Sequence, residues 1–133
     1  MLRHLRISNF KAWKETGNLR LAPLTVFFGS NSSGKTSLMQ LLLMLKQTAA
    51  SPDRRQVIHR GDQNTPVELG TYQDLVFGHD EEKDLRFHLK WSLSKELRFK
   101  DPRTKQQYSG DALSLDVAVG KASENEGRLE LRS

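Results

Sequence analysis

Residues 29–37 read Gly-Ser-Asn-Ser-Ser-Gly-Lys-Thr-Ser, and this stretch matches the pattern G-x-x-x-x-G-K-[ST] in full. An apolar run at 24–28 precedes it, and a strongly helix-forming run from 35 to about 50 follows it. The run at 24–28 is short and rich in aromatic and β-branched residues, so it predicts a buried strand. A strand, a glycine-containing turn and a helix in this order predict a phosphate-binding loop and a nucleoside triphosphate site.

Each residue type in the loop suits the binding of phosphate groups and Mg²⁺. Gly29 permits a sharp turn, and Gly34 permits close approach of the backbone to an anion. Lys35 is placed to reach the β- and γ-phosphates and is the predicted catalytic residue, while the Thr36 hydroxyl is the predicted ligand of Mg²⁺. The positive end of the helix dipole points at the phosphates. The loop residues predicted to bind ATP are Gly29, Ser30, Asn31, Ser32, Ser33, Gly34, Lys35, Thr36 and Ser37.

Length, composition and charge restrict the kind of protein. The 133 residues suffice for one domain, and the absence of cysteine excludes disulfides and thiolate metal sites. There is no apolar run of membrane-spanning length and no signal-peptide core, so we expect a cytoplasmic protein without a membrane partner. Residues 1–52 carry seven Lys or Arg and one acid, whereas 53–133 carry fourteen and fifteen. The positive excess suits an anionic ligand such as ATP. Nucleic acid is left open as a further partner, with a solvated basic surface as the alternative.

Hydrophobic patterning changes near Pro52. Before it, strands are predicted at 5–8, 19–21 and 24–28, and the helix carries Leu or Met on nearly every face, which predicts burial between two layers. After it, strands are predicted at 57–60, 85–93, 97–99, 113–119 and 129–131, with a turn or short helix at 72–77 and polar turns at 100–110 and 120–127. Residues 85–93 alternate apolar and polar side chains, as in an antiparallel sheet with one wet face, and 97–99 is expected to pair with them. The predicted class is α/β, with a P-loop core in 1–52 and an antiparallel β subdomain in 53–133.

Residues that would complete a hydrolytic site are missing from the sequence. Hydrolysis requires a second apolar strand that ends in Asp, often Asp-Glu, to hold Mg²⁺ and orient water. The nearest approaches are Asp80 and the mid-strand Asp116, and neither fits. The guanine-binding Asn-Lys-x-Asp is missing too, which disfavours a GTPase or a small kinase. We therefore expect the N-terminal piece of a longer ATPase, with a non-hydrolysing regulatory or assembly module that binds nucleotide as the alternative.

Several motifs resemble those of a known ATPase group. Residues 5–13, Leu-Arg-Ile-Ser-Asn-Phe-Lys-Ala-Trp, are similar to the opening strand I-x-N-F-[KR]-[SA]-[FWY], and the loop with Asn31 is similar to G-x-N-[GS]-[SA]-G-K-[ST]. Both are typical of the N-terminal ATPase lobe of the ABC-type group that includes the SMC, RecF and overcoming-lysogenization-defect (OLD) proteins. Residues 42–48, Leu-Leu-Met-Leu-Lys-Gln-Thr, and 69–74, Leu-Gly-Thr-Tyr-Gln-Asp, resemble predicted bacterial AAA/ABC-type ATPases. The resemblance covers residues 2–93.

The resemblance implies an ABC-type head with a mixed core sheet and an antiparallel β subdomain. Such heads bind ATP and Mg²⁺ between protomers packed head to tail, which implies a homodimer or a hetero-partner, and they act in DNA repair, chromosome organisation or anti-phage defence. It also implies that Lys11 lies near the nucleotide, the alternative being a solvated hairpin lysine. We expect Trp13 to pack under the hairpin, with stacking near the adenine as the alternative, and Gln73 to be a surface residue.

Overall fold

The computed structural model describes residues 1–122 and 129–132, and its main feature is an antiparallel sheet. The six strands found within those residues are β1 (Leu2–Phe10), β2 (Trp13–Glu15), β3 (Leu19–Arg20), β4 (Leu85–Lys100), β5 (Gln107–Lys121) and β6 (Leu129–Arg132). Their order is β2-β1-β4-β5-β6, and β3 also pairs with β1. The helices are α1 (Lys35–Ala50) and the single-turn α2 (Tyr72–Leu75), which a 3-10 turn at Phe77–His79 follows. Strands from both sides of Pro52 thus share one sheet.

The sheet has an apolar side and a polar side because side chains alternate along its strands. Ile7 lies opposite Phe87, and Phe87 lies opposite Val117, on the apolar side. Arg6 lies opposite His88 on the other side, which we call the open face. The predicted alternation is therefore confirmed in 85–93. In 113–119 the residues alternate between the two sides, but Leu113 and Leu115 are 37% and 43% exposed, so only the end of this stretch is buried.

The core lies between the apolar side of the sheet and α1. Leu38, Leu41 and Met44 of α1 are buried and belong to the same cluster as the inward residues of β1 and β4. The helix has the predicted bounds, and it ends where Ser51 adopts an extended backbone before Pro52. The prediction of burial on nearly every face is wrong, since Met39 is 51% exposed. In the described part of the chain, the sheet covers one side of the helix and no second layer covers the other.

Residues 24–28 do not form the predicted strand. They pair with no strand, and no backbone hydrogen bond joins them to the rest of the described chain. Leu24 is 82% exposed and Phe28 is 89% exposed, so the segment is not buried either. A strand needs a neighbour to take its backbone hydrogen bonds, and the described residues supply none here. All strand pairs found among residues 1–122 and 129–132 are antiparallel, so the mixed core sheet of the predicted α/β class is not found there.

Three other predictions also need correction. Residues 57–60 form no strand; the α1 side chains Gln47 and Thr48 hold this segment instead, through hydrogen bonds to the backbone of His59 at 2.7 and 2.8 Å. Residues 97–99 continue β4 rather than pairing with it, and they pair with the start of β5, which reaches into the predicted turn at 100–110. The predicted turn at 120–127 lies largely outside the described residues. No helix of the described part is long and apolar enough to cross a membrane.

Candidate functional site

The predicted phosphate loop is an exposed turn that leads directly into α1. Ser32 and Gly34 have the left-handed φ angles 66° and 86°, and Gly29 has φ 153°. The Ser33 amide donates to the Ser30 carbonyl at 3.3 Å, which closes the turn. Gly34 is the N-cap of a sixteen-residue helix. The first backbone amides of such a helix have no partner within it, so they and the helix dipole favour an anion in front of the loop.

The Lys35 side chain folds back over this loop. Its ammonium donates to the carbonyls of Gly29 and Ser30 at 2.7 and 2.6 Å, and its third contact is the Ser33 hydroxyl at 3.3 Å. These partners are loop oxygens and none is a carboxylate. The positive charge is therefore not neutralised by its contacts, and it lies beside the turn that the helix dipole also makes positive.

Trp13 contacts the loop and determines which residue fits at position 34. The indole N–H donates to the Gly34 carbonyl at 2.9 Å. A Cβ placed on Gly34 would lie 2.6 Å from Trp13 Nε1 and 3.2 Å from the Ala12 Cβ. Glycine is therefore required at position 34 for two separate reasons, the left-handed backbone and the contact with the indole. The packing role expected for Trp13 is found, and its partner is the loop itself.

Asn9 anchors the end of β1, just before the turn that leads to Trp13 at the start of β2. Its side chain is buried, accepts a hydrogen bond from the Phe77 amide at 3.2 Å and donates to the Lys83 carbonyl at 2.9 Å. Asn9 and Lys11 both have left-handed φ angles, 58° and 47°, so the chain turns sharply between β1 and β2. The Lys11 amide donates to the Leu75 carbonyl at 2.6 Å, which ties this turn to α2.

The Lys11 side chain lies within electrostatic reach of Asp74. Hydrogen bonds from the Thr71 amide and hydroxyl hold the pKa of Asp74 below its usual value, and the charges of His79 and Lys11 act in the same direction. Lys11 is therefore close to an acidic cap of α2. Within the described residues, no hydrogen bond or ion pair joins its ammonium to the loop, so a role in nucleotide binding stays a prediction.

The remaining predicted ligands lie around the loop with different exposure. Asn31, Ser32 and Thr36 are exposed, whereas Ser37 is buried against the core. The Thr36 hydroxyl, the predicted Mg²⁺ ligand, is accordingly open to solvent. Among the described residues there is no cluster of three His, Asp, Glu or Cys side chains that could hold a metal ion. A single exposed hydroxyl suits Mg²⁺ that arrives with a phosphate group, because Mg²⁺ bound in this way needs few protein ligands. Gln73 is exposed, as expected.

Sequence reasoning missed the contact between Trp13 and Gly34. An aromatic residue that ends a β1–β2 turn gives no signal of a partner twenty-one positions later, because contact across that distance depends on how β1 packs on α1. It also missed the structural roles of Gln47 and Tyr72. The Tyr72 hydroxyl bonds the Val119 carbonyl at 2.8 Å and accepts from the Leu85 amide at 3.1 Å. The sequence offered one signal for both roles, because each residue is a polar side chain within one of the motifs at 42–48 and 69–74.

Comparison with known proteins identifies one match. The family model described as AAA ATPase domain matches residues 1–126, which is most of the chain. No curated protein and no solved structure matches it. The matched range includes the phosphate loop, α1 and every strand of the sheet except β6.

Proposed function

The chain belongs to the AAA ATPase domain family, and we propose that residues 29–37 bind ATP with Mg²⁺ as part of the N-terminal lobe of an ABC-type ATPase head. ATP binding with Mg²⁺ and ATP hydrolysis are general activities of AAA ATPase domains. Our proposal goes further in three respects, which are the residues that bind ATP, the subgroup of the family and the cellular role. Its main support is the geometry of the loop, in which an uncompensated ammonium and a helix N-terminus face the same space.

The residues of the loop suit each part of Mg-ATP. Amides at the start of α1 and the Lys35 ammonium would hold the phosphate oxygens, and the exposed Thr36 hydroxyl would be a ligand of Mg²⁺. Bound Mg²⁺ supplies charge neutralisation along the triphosphate. Lys35 would exchange its contacts with the Gly29 and Ser30 carbonyls for contacts with phosphate. Trp13 holds Gly34 in the left-handed conformation that keeps the backbone close to the ligand.

The first experiment compares two lysine variants of the same helix. Lys35→Ala removes the ammonium at the loop, and Lys46→Ala removes an exposed ammonium about three turns further along α1. Titration of MgATP into the full chain, followed by calorimetry, should give affinity about 10- to 100-fold weaker for Lys35→Ala, since hydrogen bonds to charged groups contribute about 1.5–3 kcal/mol. Lys46→Ala should bind like the unmodified chain. Equal weakening in both variants would show that general charge, and not the loop, attracts the nucleotide.

We also propose that the chain belongs to the SMC, RecF and OLD group and acts in DNA repair or anti-phage defence. The motif at 5–13 supports this proposal, because two of its residues have clear tasks at the loop. Asn9 anchors the turn after β1, and Trp13 fixes Gly34. The positive excess in residues 1–52 agrees with an anionic partner.

The exposed segment 24–28 supports completion of the head by strands from outside the described residues. Its backbone is free of strand pairing, and Leu24, Val26 and Phe28 project apolar side chains that are 60–89% exposed. A further strand beside this segment would satisfy both its backbone and its side chains, and a carboxylate at the end of that strand would lie near the loop. We propose that hydrolysis depends on this completion and on head-to-tail pairing of heads, as a homodimer or with a hetero-partner.

Turnover and assembly measurements test this part of the proposal. The 133-residue chain should bind MgATP but release no phosphate above the rate of its Lys35→Ala variant. Sedimentation of the longer polypeptide that carries residues 1–133, with and without MgATP, should show dimers that require ATP and disappear with Lys35→Ala. Steady hydrolysis by the 133 residues alone would refute the dependence on a second lobe.

A non-hydrolysing nucleotide-binding module is the alternative function. One observation favours it: hydrolysis requires a carboxylate beside the phosphate loop, and the Lys35 contacts found in the described residues include none. The longer polypeptide distinguishes the two functions. MgATP binding with assembly but without phosphate release would support the module, and phosphate release would support the ATPase.

A further inference from the structure

The open face of the sheet carries a basic groove. Its volume is about 800 Å³, and its floor is formed by the outward side chains of β1, β4 and β5. Pairing places His4 opposite Lys90, Arg6 opposite His88, and Ser8 opposite Arg86. The basic side chains that line this groove are His4, Arg6, Arg86, His88 and Lys90. Because α1 covers the other side of the sheet, this groove is separate from the packing core.

One acid, Asp116, lines the groove, and its carboxylate lies 2.7 Å from His88 Nδ1 in a pair where the Asp116 side chain is 78% exposed. Two other acids pair with the groove arginines, and neither pair is strong. Arg6 pairs with Glu15, but the two side chains are 59% and 41% exposed, and such pairs contribute only about 0–1 kcal/mol. Arg86 pairs with Asp84 through another exposed guanidinium. Lys90 has no carboxylate partner among the described residues. An anion that enters the groove can therefore take these cations from their present partners at little cost.

One buried polar atom belongs to a residue that lines the groove. The Nδ1 atom of His4 is inaccessible to solvent and has no hydrogen-bond partner in the described structure. A buried nitrogen of this kind is unusual, because folded proteins pair nearly all such atoms. The ring of His4 lies in the same row as Lys90, so a ligand held by one side chain can also reach the other.

A bulge in β4 turns apolar side chains toward the open face. Between Ser92 and Leu97 the strand advances five residues, while its partner β5 advances two, from Ala112 to Gly110. β5 is continuous, so Ala112 and Gly110 lie on the same side, and the residues opposite them do too. Leu97 therefore lies on the side of Ser92 rather than on the core side. In a strand without this irregularity, alternation over five residues would direct Leu97 to the core side.

The same bulge presents an aromatic pair on the open face, six β5 residues (about 20 Å) beyond the groove pair Lys90–Ser114. Phe99 and Tyr108 are opposite each other, with ring centroids 5.3 Å apart and planes at 19°. They are 54% and 42% exposed, so packing in the core is not their role. Residues 95–108 around them contain five Lys or Arg and two Asp or Glu. The hairpin thus combines an exposed aromatic platform with positive charge.

We infer that the open face binds single-stranded nucleic acid. The groove cations are suited to phosphodiesters, and the Phe99–Tyr108 platform is suited to stacking of unpaired bases, which is the combination that single-strand binding requires. An acidic protein segment would use the cations but would have no use for a stacking platform. The inference rests on the proposed action on nucleic acid, but not on ATP binding at the loop, because the groove shares no residue with 29–37.

The aromatic test uses fluorescence anisotropy of an end-labelled oligothymidylate of about 16 nucleotides. Phe99→Ala should weaken binding by the full chain about 5- to 100-fold, as loss of one base-stacking contact does. Tyr108→Phe, which keeps the ring, should bind like the unmodified chain. The matched control is Phe77→Ala, another partly exposed aromatic residue outside the hairpin. Circular dichroism verifies that each variant is folded.

The charge test uses the salt dependence of the same binding. Arg6→Gln and Lys90→Gln should each lower the slope of log affinity against log salt by about 0.7, the value for one phosphate contact on a single strand. Lys46→Gln, which removes an equal charge from the exposed side of α1, should leave the slope unchanged.

Four outcomes would overturn the inference. They are unaltered affinity in Phe99→Ala, an equal loss in Phe77→Ala, equal or tighter binding of polyglutamate, and tighter binding of duplex of the same length. Lys35→Ala separates this inference from nucleotide binding. It should retain the oligothymidylate affinity even where MgATP binding is lost, so a failure at the loop and a failure at the open face are distinguishable.

Discussion

Replacement of Gly34 by alanine tests whether Trp13 determines the shape of the phosphate loop. Two costs are expected in the free energy of unfolding. The left-handed φ of 86° costs an alanine about 1–2 kcal/mol. The new Cβ would also lie 2.6 Å from Trp13 Nε1 and 2.9 Å from Cε2, and overpacking of this kind costs about 1–3 kcal/mol. We therefore expect Gly34→Ala to lower stability by about 2–5 kcal/mol.

A second glycine and a second background separate the two costs. Gly17 has a left-handed φ of 66°, and a Cβ there would meet nothing within 4 Å, so Gly17→Ala measures the backbone cost alone, about 1–2 kcal/mol. In a Trp13→Ala background the indole is gone, and Gly34→Ala should then cost close to what Gly17→Ala costs, because only the 3.2 Å contact with the Ala12 Cβ remains. The double-mutant cycle should accordingly give a coupling energy of about 1–3 kcal/mol between positions 13 and 34.

Urea unfolding followed by circular dichroism measures all five proteins, because this signal does not depend on the indole that is removed. MgATP affinity should fall in Gly34→Ala and in Trp13→Ala, since both alter the loop without changing Lys35. The reasoning is refuted if Gly34→Ala costs the same as Gly17→Ala and keeps that cost when Trp13 is absent. Backbone strain alone would then explain the glycine, and the indole would be an incidental neighbour.

Three further substitutions probe the surroundings of the loop. Tyr72→Phe should destabilise the chain by about 1–3 kcal/mol in urea unfolding, because the buried Leu85 amide and Val119 carbonyl each lose a partner; an effect below about 0.5 kcal/mol would mean that other groups replace the hydroxyl. Gln47→Leu should cost a similar amount, about 1–3 kcal/mol, and raise the rate of proteolysis near residues 57–67, which its amide holds. Asp74→Asn should lower the unfolding midpoint at neutral pH, and the difference from the unmodified chain should disappear as pH falls below about 4. The reason is that a carboxylate with a lowered pKa stabilises the fold above its unfolded pKa and stops doing so once it is protonated. A difference that is constant with pH would contradict this, and Glu68→Gln is the exposed control.

The parts of the fold that sequence predicted well are those set by local pattern. The α1 bounds follow from an apolar run between Gly34 and Pro52, and the alternation in 85–93 gives both the strand and its buried side. The bulge that separates Ser92 from Leu97 could not be predicted, because it changes which side an apolar residue faces without changing the type of residue. Leu97 and Phe99 continue the odd-numbered apolar pattern of β4, so pattern alone places them in the core.

The failed strand at 24–28 has a different cause. Its composition satisfies every local criterion for a buried strand, and yet Leu24 and Phe28 are among the most exposed apolar residues of the described chain. Strand formation depends on a partner strand as well as on composition, and the partner is a property of the whole fold. A segment with strong strand composition and no partner strand therefore indicates where a further strand is able to pair.

The candidate site was partly predictable for a related reason. The loop pattern predicted the site residues Lys35 and Thr36 directly, because the residues of a contiguous motif are adjacent both in the sequence and in the fold. The motif at 5–13 was recognisable only by resemblance, and the structure supplies a physical reason for it. Asn9 ties the end of β1 to the Phe77 amide and the Lys83 carbonyl, which fixes the turn that follows, and the turn delivers the Trp13 indole to Gly34. Two motifs about twenty residues apart are thus structurally coupled, because a residue of the first contacts the backbone of the second. A substitution at Asn9 should therefore weaken nucleotide binding only through the position of Trp13, and it should have no further effect in a chain that already carries Trp13→Ala.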